Sequence, residues 1–402
     1  MTELNRSLSL PLVVLYGLGV TIGAGIYVLL GAAAGRAGIH APVAFVLASV
    51  VMAFSAASFA ELSARFPVSA GEAAYVRAGF NSGTLSVIVG FLVILSGTVS
   101  SSAITVGSTG YIREFIDVPA PLLVVAIVLA LGGIAAWGIM QSVLFASLFT
   151  IFEAGALLAI VAAGVYQDPA ILSELTRVIP PLGDAAAWVG ISSAGLLAFF
   201  AFIGFEDIVN LAEEVKNPEQ TLPWAIFLTL GLGTLLYFMV TAVAILSVPL
   251  DELAASPAPL SFVFGHITGA SPVVITLIAI VATLNGVIIQ IIMASRVLYG
   301  LGKQGSVPAL FARIDARTRT PLIATVVVTA LVLLLALTAP MENLAEWTSG
   351  IVLVIFTLVN MALFIIKRRG TPAPEGSFTV YIWVPVMGFV TCLILLASGL
   401  SG

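Results

Sequence analysis

Two short stretches of the chain place glycines inside long apolar runs. Residues 17–27 read Gly-Leu-Gly-Val-Thr-Ile-Gly-Ala-Gly-Ile-Tyr, and residues 199–207 read Phe-Phe-Ala-Phe-Ile-Gly-Phe-Glu-Asp. Glycine weakens a helix by about 1 kcal/mol relative to alanine, and the first stretch carries Gly23 and Gly25 near the middle of its run. In the second stretch Gly204 precedes two acids. The pattern favours an interrupted helix in each stretch, although a helix-packing patch of small residues explains either one alone equally well.

The composition excludes most classes of soluble protein. Of the 402 residues, 60% are hydrophobic and 9% are charged, and the mean hydropathy is +1.17. Soluble domains carry about 25% charged residues, so this chain lacks the polar surface of a DNA-binding protein or a cytosolic enzyme. Its single cysteine, Cys392, excludes a disulfide within the chain. The sequence therefore predicts an integral membrane protein.

Apolar runs long enough to cross a bilayer recur along the whole chain. A helix needs about 20 apolar residues to cross a hydrocarbon core of about 30 Å. We predict eleven spans, at approximately 10–34, 42–66, 83–112, 120–138, 143–165, 188–214, 223–247, 272–302, 321–339, 346–366 and 380–400. A turn within residues 138–142 separates the fourth span from the fifth. The runs lack the two-residue alternation of a membrane β-barrel, so the predicted class is an all-α membrane protein.

The positions of lysine and arginine predict the orientation of the chain. With the N-terminus in the cytoplasm, 12 of the 15 basic residues lie on the cytoplasmic side, and Arg36, Arg113 and Arg177 lie outside. Basic residues accumulate in cytoplasmic loops, which favours this orientation. Eleven spans then place the C-terminus outside, in a multi-pass protein of the cytoplasmic membrane.

The two glycine-containing stretches fall in the first and sixth spans, about 180 residues apart. These are equivalent positions in two five-helix repeats, at about 10–165 and 188–366, with an additional helix at 380–400 in a single domain. Secondary transporters built from inverted repeats bind substrate near the bilayer midplane, between interrupted helices. Amides at the start of a half-helix suit a carboxylate, and carbonyls at the end of one suit an ammonium group or a metal cation. An amino acid carries one group of each sign.

Four motifs give the chain a resemblance to a known family. They are residues 23–27, residues 61–67 (Glu-Leu-Ser-Ala-Arg-Phe-Pro), residues 199–223 and residues 295–300 (Ser-Arg-Val-Leu-Tyr-Gly). The chain resembles the amino acid–polyamine–organocation (APC) superfamily, and its sixth span is similar to that of the basic and cationic amino acid permeases. The resemblance implies a LeuT-like fold of two inverted five-helix repeats. It also implies a secondary active transporter that moves amino acids by alternating access, with proton coupling or by exchange.

The same resemblance implies a substrate site at the two interruptions. The residues expected to bind substrate are Thr21, Gly23, Ala24, Gly25, Phe200, Ala201, Ile203 and Asn285. The four on the first span would hold the substrate carboxylate, and the three on the sixth would offer backbone carbonyls to its amino group. Phe200 would also form an aromatic gate. Asn285 is selected independently of the resemblance, as a polar residue of the eighth span that is expected to face the same cavity. The alternative to a substrate site is that the three neighbouring phenylalanines of the sixth span, Phe199, Phe200 and Phe202, pack in the hydrophobic core.

Glu153 is an acid about ten residues into the fifth span, a depth at which a charge is expensive and is commonly neutralised, paired or functional. Many members of the superfamily carry a lysine here, so a lysine-based coupling mechanism does not transfer to this chain. Protonated Glu153 can donate a hydrogen bond to a freed carbonyl of the first span, which is the reading we favour. Ionised Glu153 can hold sodium or attract a cationic substrate, and an ion pair with Arg296 is the structural alternative.

Glu206 is the second acid predicted to act in coupling or gating. It follows the sixth-span interruption directly, at the start of the second half of that helix. Acids stabilise helix N-termini by about 0.3–1 kcal/mol, so a capping role is the alternative.

Other functional classes fit the sequence less well. No catalytic constellation or nucleotide-binding fingerprint is present, so the chain is not expected to be an enzyme. The isolated His40 and His266 do not predict a metal site, and the expected coupling ion is a proton or sodium, with no cofactor. The expected partners are a small amino acid or amine and the lipid bilayer, with no nucleic acid, in a monomer or homodimer. An organic amine or polyamine permease, or a non-transporting membrane sensor or scaffold, is the alternative.

Overall fold

A computed structural model of the chain describes residues 6–67, 71–137 and 143–400. The α-helices α1 to α16 comprise, in order, Leu10–Ala24, Ile26–Ala37, Ala41–Arg65, Gly71–Phe80, Gly83–Arg113, Ala120–Trp137, Val143–Gln167, Ile171–Glu174, Ala185–Phe200, Pro218–Ser247, Leu250–Ala255, Pro259–Thr268, Val273–Lys303, Leu322–Thr338, Met341–Arg368 and Trp383–Leu400. Short 3₁₀ helices cover Gly38–His40, Leu175–Val178, Phe205–Leu211 and Ala309–Ala312. In this part of the chain the β-type contact is an isolated parallel bridge between Leu8 and Val215.

The predicted spans are present as helices. Among the described residues, eight helical segments are long and apolar enough to cross a membrane, and three shorter apolar helices account for the remaining predicted spans. The structure corrects two boundaries, because α10 begins at Pro218 and α15 at Met341, each about five residues earlier than predicted. Proline in the first turn of α10, and directly before α15, is compatible with these earlier starts. The predicted turn at 138–142 lies outside the described residues.

Four short helices between the spans were not predicted. They are α4, α8, α11 and α12, the longest of which has 10 residues. Helices this short are marginal by themselves and form through tertiary packing, which a hydropathy profile does not reveal. α11 and α12 pack against α2, and α4 packs against α5 and α15.

The two halves of the chain interlock around α1. This helix packs against α7, α10, α13 and the 3₁₀ turn Phe205–Leu211, so its neighbours come from both predicted repeats. α5 packs against α13 and α15, and α3 packs against α9 and α10. The additional helix α16 lies outside this core, against α3, α9 and α15. Large apolar side chains such as Leu122 and Val189 are exposed on the periphery, as expected of a surface that faces lipid.

Ion pairs close the bundle at both ends. At one end the Arg36 guanidinium bonds to Glu342 at 2.8 Å, to Glu346 and to the carbonyl of Ser193 at 3.1 Å, and so joins α2 to α9 and α15. At the other end Glu61 is fully buried and bonds to Arg65 and to Lys367, at 2.8 and 2.7 Å. The first cluster ties the start of one repeat to the end of the other, and the second ties α3 to α15.

Candidate functional site

Both predicted interruptions are present. The first helix stops at Ala24 and resumes at Ile26, with Gly25 between the two halves at φ −110° and ψ −66°. The sixth span stops at Phe200, and its continuation Phe205–Leu211 is a 3₁₀ turn that follows Gly204 at φ +122°. That φ strongly favours glycine, since a side chain would clash with the backbone. The glycine pattern in the sequence therefore marked both positions.

The two interruptions lie in direct contact with each other. A Cβ atom added at Gly25 would overlap the Cα atom of Ala201, and one added at Gly204 would lie 2.7 Å from Cγ1 of Val20. Both glycines thus permit a close approach of two backbones. The sequence offered an interrupted helix and a helix-packing patch as alternatives. Both are correct here, because the glycines pack closely against the other span at the point where each helix is interrupted.

Tyr237 on α10 connects the two interruptions. Its hydroxyl lies 2.9 Å from the carbonyl oxygen of Thr21 and 3.0 Å from that of Ala201, and it shares its proton between them. The side chain of Thr21 bonds back to the carbonyl of Gly17 at 2.8 Å. Sequence reasoning did not select Tyr237. The sequence feature that could have identified Tyr237 is its position within an apolar span, because a buried phenolic hydroxyl needs a hydrogen-bond partner.

Two further tyrosines, Tyr27 and Tyr111, fix the half-helix α2. Tyr111 donates to the carbonyl of Tyr27 at 2.5 Å, and the Tyr27 hydroxyl donates to the backbone carbonyl of Glu153 at 2.9 Å. These bonds connect α2 to α5 and α7. The backbone of Glu153 is therefore held in place by the same half-helix that begins at the interruption.

The carboxyl group of Glu153 faces the interruption without a hydrogen-bond partner. Glu153 is 1% exposed, and neither of its carboxyl oxygens is bonded. A Cβ atom added at Gly23 would lie 3.8 Å from Oε2 of Glu153 and 2.9 Å from the carbonyl oxygen of Ala282 on α13. Neither the predicted hydrogen bond from Glu153 to a carbonyl of the first span nor the alternative pairing with Arg296 is formed in this conformation. An unpaired acid at this depth is expensive, so its proton or a bound group must compensate for it.

Asn285 lies one turn beyond Ala282 on the same helix. It is 8% exposed, and its Oδ1 atom also lacks a partner. Buried amide oxygens are normally bonded, so the free Oδ1 atom of Asn285 is available to a donor on a ligand.

The remaining predicted substrate residues are buried around the interruptions. Among these, Thr21, Phe200, Ala201 and Ile203 have exposures of 6% or less, so the centre is closed to solvent in this conformation. The Phe200 carbonyl accepts from the amide of Ile203 at 3.1 Å, and the Ala201 carbonyl accepts from Tyr237. Each carbonyl oxygen retains a second lone pair for a ligand. The side chain of Ala24 lies outside the described residues.

Glu206 takes part in the interruption of the sixth span itself. Its Oε2 atom accepts a hydrogen bond from the amide of Gly204 at 2.8 Å. Asp207 lies beside it, and both carboxyl groups interact electrostatically with Glu72 on α4. The bond to Gly204 is the capping geometry that the sequence offered as the alternative to a gating role.

A bundle of apolar helices in which the first and sixth predicted spans are interrupted where they touch is the architecture of an inverted-repeat secondary transporter. The comparisons with known proteins agree with this class. The family model described as amino acid permease matches residues 8–400, and the chain belongs to that family. It is accordingly a secondary amino acid transporter of the APC superfamily.

Two relatives and one solved structure illustrate the match. The branched-chain amino acid permease BcaP of Bacillus subtilis is 28% identical, over 98% of this chain and 88% of that protein. The vacuolar cationic amino acid transporter 2 of Arabidopsis thaliana is 30% identical, over 91% of this chain and 60% of that protein. A manganese transporter of Eremococcus coleocola has the same fold, with a TM-score of 0.65 at 13% identity, over 99% of this chain and 88% of that one.

Proposed function

We propose that the chain imports an amino acid together with a proton, and that Glu153 carries the proton. The observation that carries this proposal is the buried, unpartnered carboxyl group beside Gly23 of the broken first helix. A carboxyl group stays neutral in a closed apolar site and releases its proton when water enters. Opening the site to one side of the membrane and then the other would move the proton with the substrate.

The substrate in this proposal is an amino acid bound by backbone groups. The amides of Ile26 and Tyr27 at the start of α2 suit its carboxylate, since the first amides of a helix lack partners within the helix. The next two amides, of Val28 and Leu29, already donate to the carbonyl of Gly25. The second lone pairs of the Phe200 and Ala201 carbonyls suit its ammonium group, and Asn285 supplies a further acceptor. The relatives named for branched-chain and cationic amino acids make these two classes the first to test.

Transport in proteoliposomes tests the role of Glu153. We expect wild-type protein to accumulate labelled leucine or lysine when the lumen is alkaline, and we expect Glu153→Gln to lose accumulation while keeping exchange. The matched control is Glu252→Gln, which removes an exposed acid from α11. Normal gradient-driven accumulation by Glu153→Gln would contradict the proposal.

Two further measurements separate the alternatives for the ion and the substrate. Replacing sodium with choline at a fixed pH gradient should leave accumulation unchanged, whereas its loss would assign sodium to Glu153. A thermal-shift screen of amino acids, amines and polyamines identifies the substrate class, because a bound ligand stabilises the folded state. If a polyamine is the sole hit, the chain is an amine permease. The unpaired acceptor oxygens of Glu153 and Asn285 are also compatible with an amine substrate.

We further propose that the protein lies in the cytoplasmic membrane with its N-terminus in the cytoplasm. The positive-inside bias supports this orientation, because it places 12 of 15 basic residues on the cytoplasmic face. The end of the bundle with Glu61 and Lys367 is then cytoplasmic, and the end with Arg36 faces outward. Protease protection of an N-terminal epitope in sealed cells tests the assignment.

A further inference from the structure

The lipid-facing surface carries a long groove between α3 and α10. It has a volume of about 600 Å³ and is lined by apolar and small residues of the two helices, including Val46, Val50, Ala53, Gly231 and Leu235. On α10 it extends from Phe227 to Phe238, a length of about 16 Å at about 1.5 Å per residue. That length is about half of a hydrocarbon core of about 30 Å, which is the depth of one leaflet.

A second, more polar pocket continues from the first at the start of α10. It has a volume of about 330 Å³, and Phe227 lines both pockets. Its other walls are the first turns of α10 and the segment that connects α15 to α16. Phe378 of that segment packs against Phe227 with ring centroids 5.4 Å apart, at the junction of the two pockets. The Glu61–Lys367 pair holds the segment in place, because both side chains also bond to the backbone of Val380.

The polar pocket has the chemistry of a zwitterionic headgroup site. Among the described residues that line it, Glu219 is the ionisable one, and it is exposed at the start of α10. Its carboxylate and the Ser377 hydroxyl oxygen suit an ammonium group. Gln220 and the Trp224 indole offer uncharged N–H donors to a phosphate, and Trp224 is 62% exposed, as is common at a bilayer interface.

We propose that this composite groove binds one phosphatidylethanolamine of the adjacent leaflet, with an acyl chain between α3 and α10 and its ammonium beside Glu219. The two volumes lie within the range of about 300–1,000 Å³ that is usual for small-molecule sites. An anionic phospholipid fits less well, since its headgroup would meet the Glu219 carboxylate and no lysine or arginine among the described lining residues.

Native mass spectrometry of the delipidated protein tests the site. The protein is incubated with dioleoyl phosphatidylethanolamine or dioleoyl phosphatidylglycerol, and retained lipid is counted. We expect one retained phosphatidylethanolamine per chain. Gly231→Leu should lower this retention about tenfold by filling the groove, because a Cβ atom at Gly231 meets open space and leucine favours helix. Glu219→Gln should reduce the preference for phosphatidylethanolamine over phosphatidylglycerol about threefold.

The matched controls are Gly133→Leu on the exposed face of α6, where a Cβ atom also meets open space, and Glu252→Gln. Both should retain lipid as the wild type does. If Gly231→Leu does not fold, Val50→Phe fills the same groove from α3. Wild-type retention in a folded groove-filling variant, or equal retention of the two lipids by the wild type, would overturn the proposal. A dimer that replaces the lipid adduct and dissociates in Gly231→Leu would instead assign the groove to a second copy.

Discussion

Gly25 lies where the two broken helices cross, and its lack of a side chain sets their separation. A Cβ atom there would overlap the backbone of Ala201, which cannot move without displacing the sixth span. We therefore expect Gly25→Ala to lower stability by about 1–3 kcal/mol and to abolish uptake. Thermal unfolding and proteoliposome transport measure the two effects. Gly133→Ala, which meets open space, serves as the control, and equal behaviour of the two variants would refute the contact.

Glu72 on α4 gives the protein a dependence of stability on pH. Burial raises the pKa of Glu72 from 4.5 to about 7. Between these values the folded state binds more protons than the unfolded state, so stability falls as pH rises through this window and is level above it. The loss is at most about 3 kcal/mol. We expect Glu72→Gln to remove this loss, so that the variant gains stability over the wild type between pH 5 and pH 8.

Thermal unfolding at the two pH values measures the Glu72 effect. The exposed Glu252→Gln variant should follow the wild type at both. A constant difference between Glu72→Gln and the wild type across the pH range would show that Glu72 is already ionised in the folded protein.

At the scale of the element, α1, the first half of the interrupted helix, is held by backbone hydrogen bonds at its N-terminal end. The amide of Leu8 donates to the carbonyl of Glu214 at 3.0 Å, and the amide of Lys216 donates to the carbonyl of Leu8 at 2.9 Å. These bonds join the segment before α1 to the end of the sixth span. They close the same end of the bundle as the Glu61 cluster.

Removing one of these bonds should favour opening at that end. Leu8→Pro removes the amide that donates to the carbonyl of Glu214. Losing this hydrogen bond should destabilise the closed conformation by about 1 kcal/mol, which raises the population of the open conformation about fivefold. The readout is the rate at which a thiol reagent labels Thr21→Cys in a Cys392→Ser background. Leu8→Ala keeps both backbone bonds and is the control. If Leu8→Ala accelerates labelling as much as Leu8→Pro, side-chain packing and not the bridge closes this end.

The elements also show which features of the fold can be predicted from the sequence. The spans follow from hydropathy because each must cross the same thickness of lipid, and both interruptions follow from Gly23, Gly25 and Gly204. The contact of Tyr237 with the carbonyls of Thr21 and Ala201 joins residues 216 and 36 positions away, and no local pattern encodes it. The same holds for the partner-free state of Glu153, since depth alone did not exclude a pairing with Arg296.

At the scale of the whole molecule, the buried cluster of Glu61, Arg65 and Lys367 ties the first repeat to the second. We expect Lys367→Met to destabilise the protein by about 3 kcal/mol, because it leaves the fully buried Glu61 with one cationic partner. The double variant Glu61→Gln/Lys367→Met should recover part of that loss. Chemical unfolding in detergent measures both, with the exposed Lys303→Met as control. Equal stability of Lys367→Met and Lys303→Met would show that the pair contributes nothing.

Because Gly25 alone separates α1 from α2, α1 could pivot about this residue as a rigid rod. Its fulcrum is one residue, and its 15-residue arm is about 22 Å long. A tilt of about 15° would swing the far tip by about 6 Å, roughly the width of a small solute, while the fulcrum itself hardly moves. Such a tilt would open a passage at the rim of the bundle with little repacking at its centre, so the close packing of Gly25 against Ala201 is compatible with movement of this half-helix.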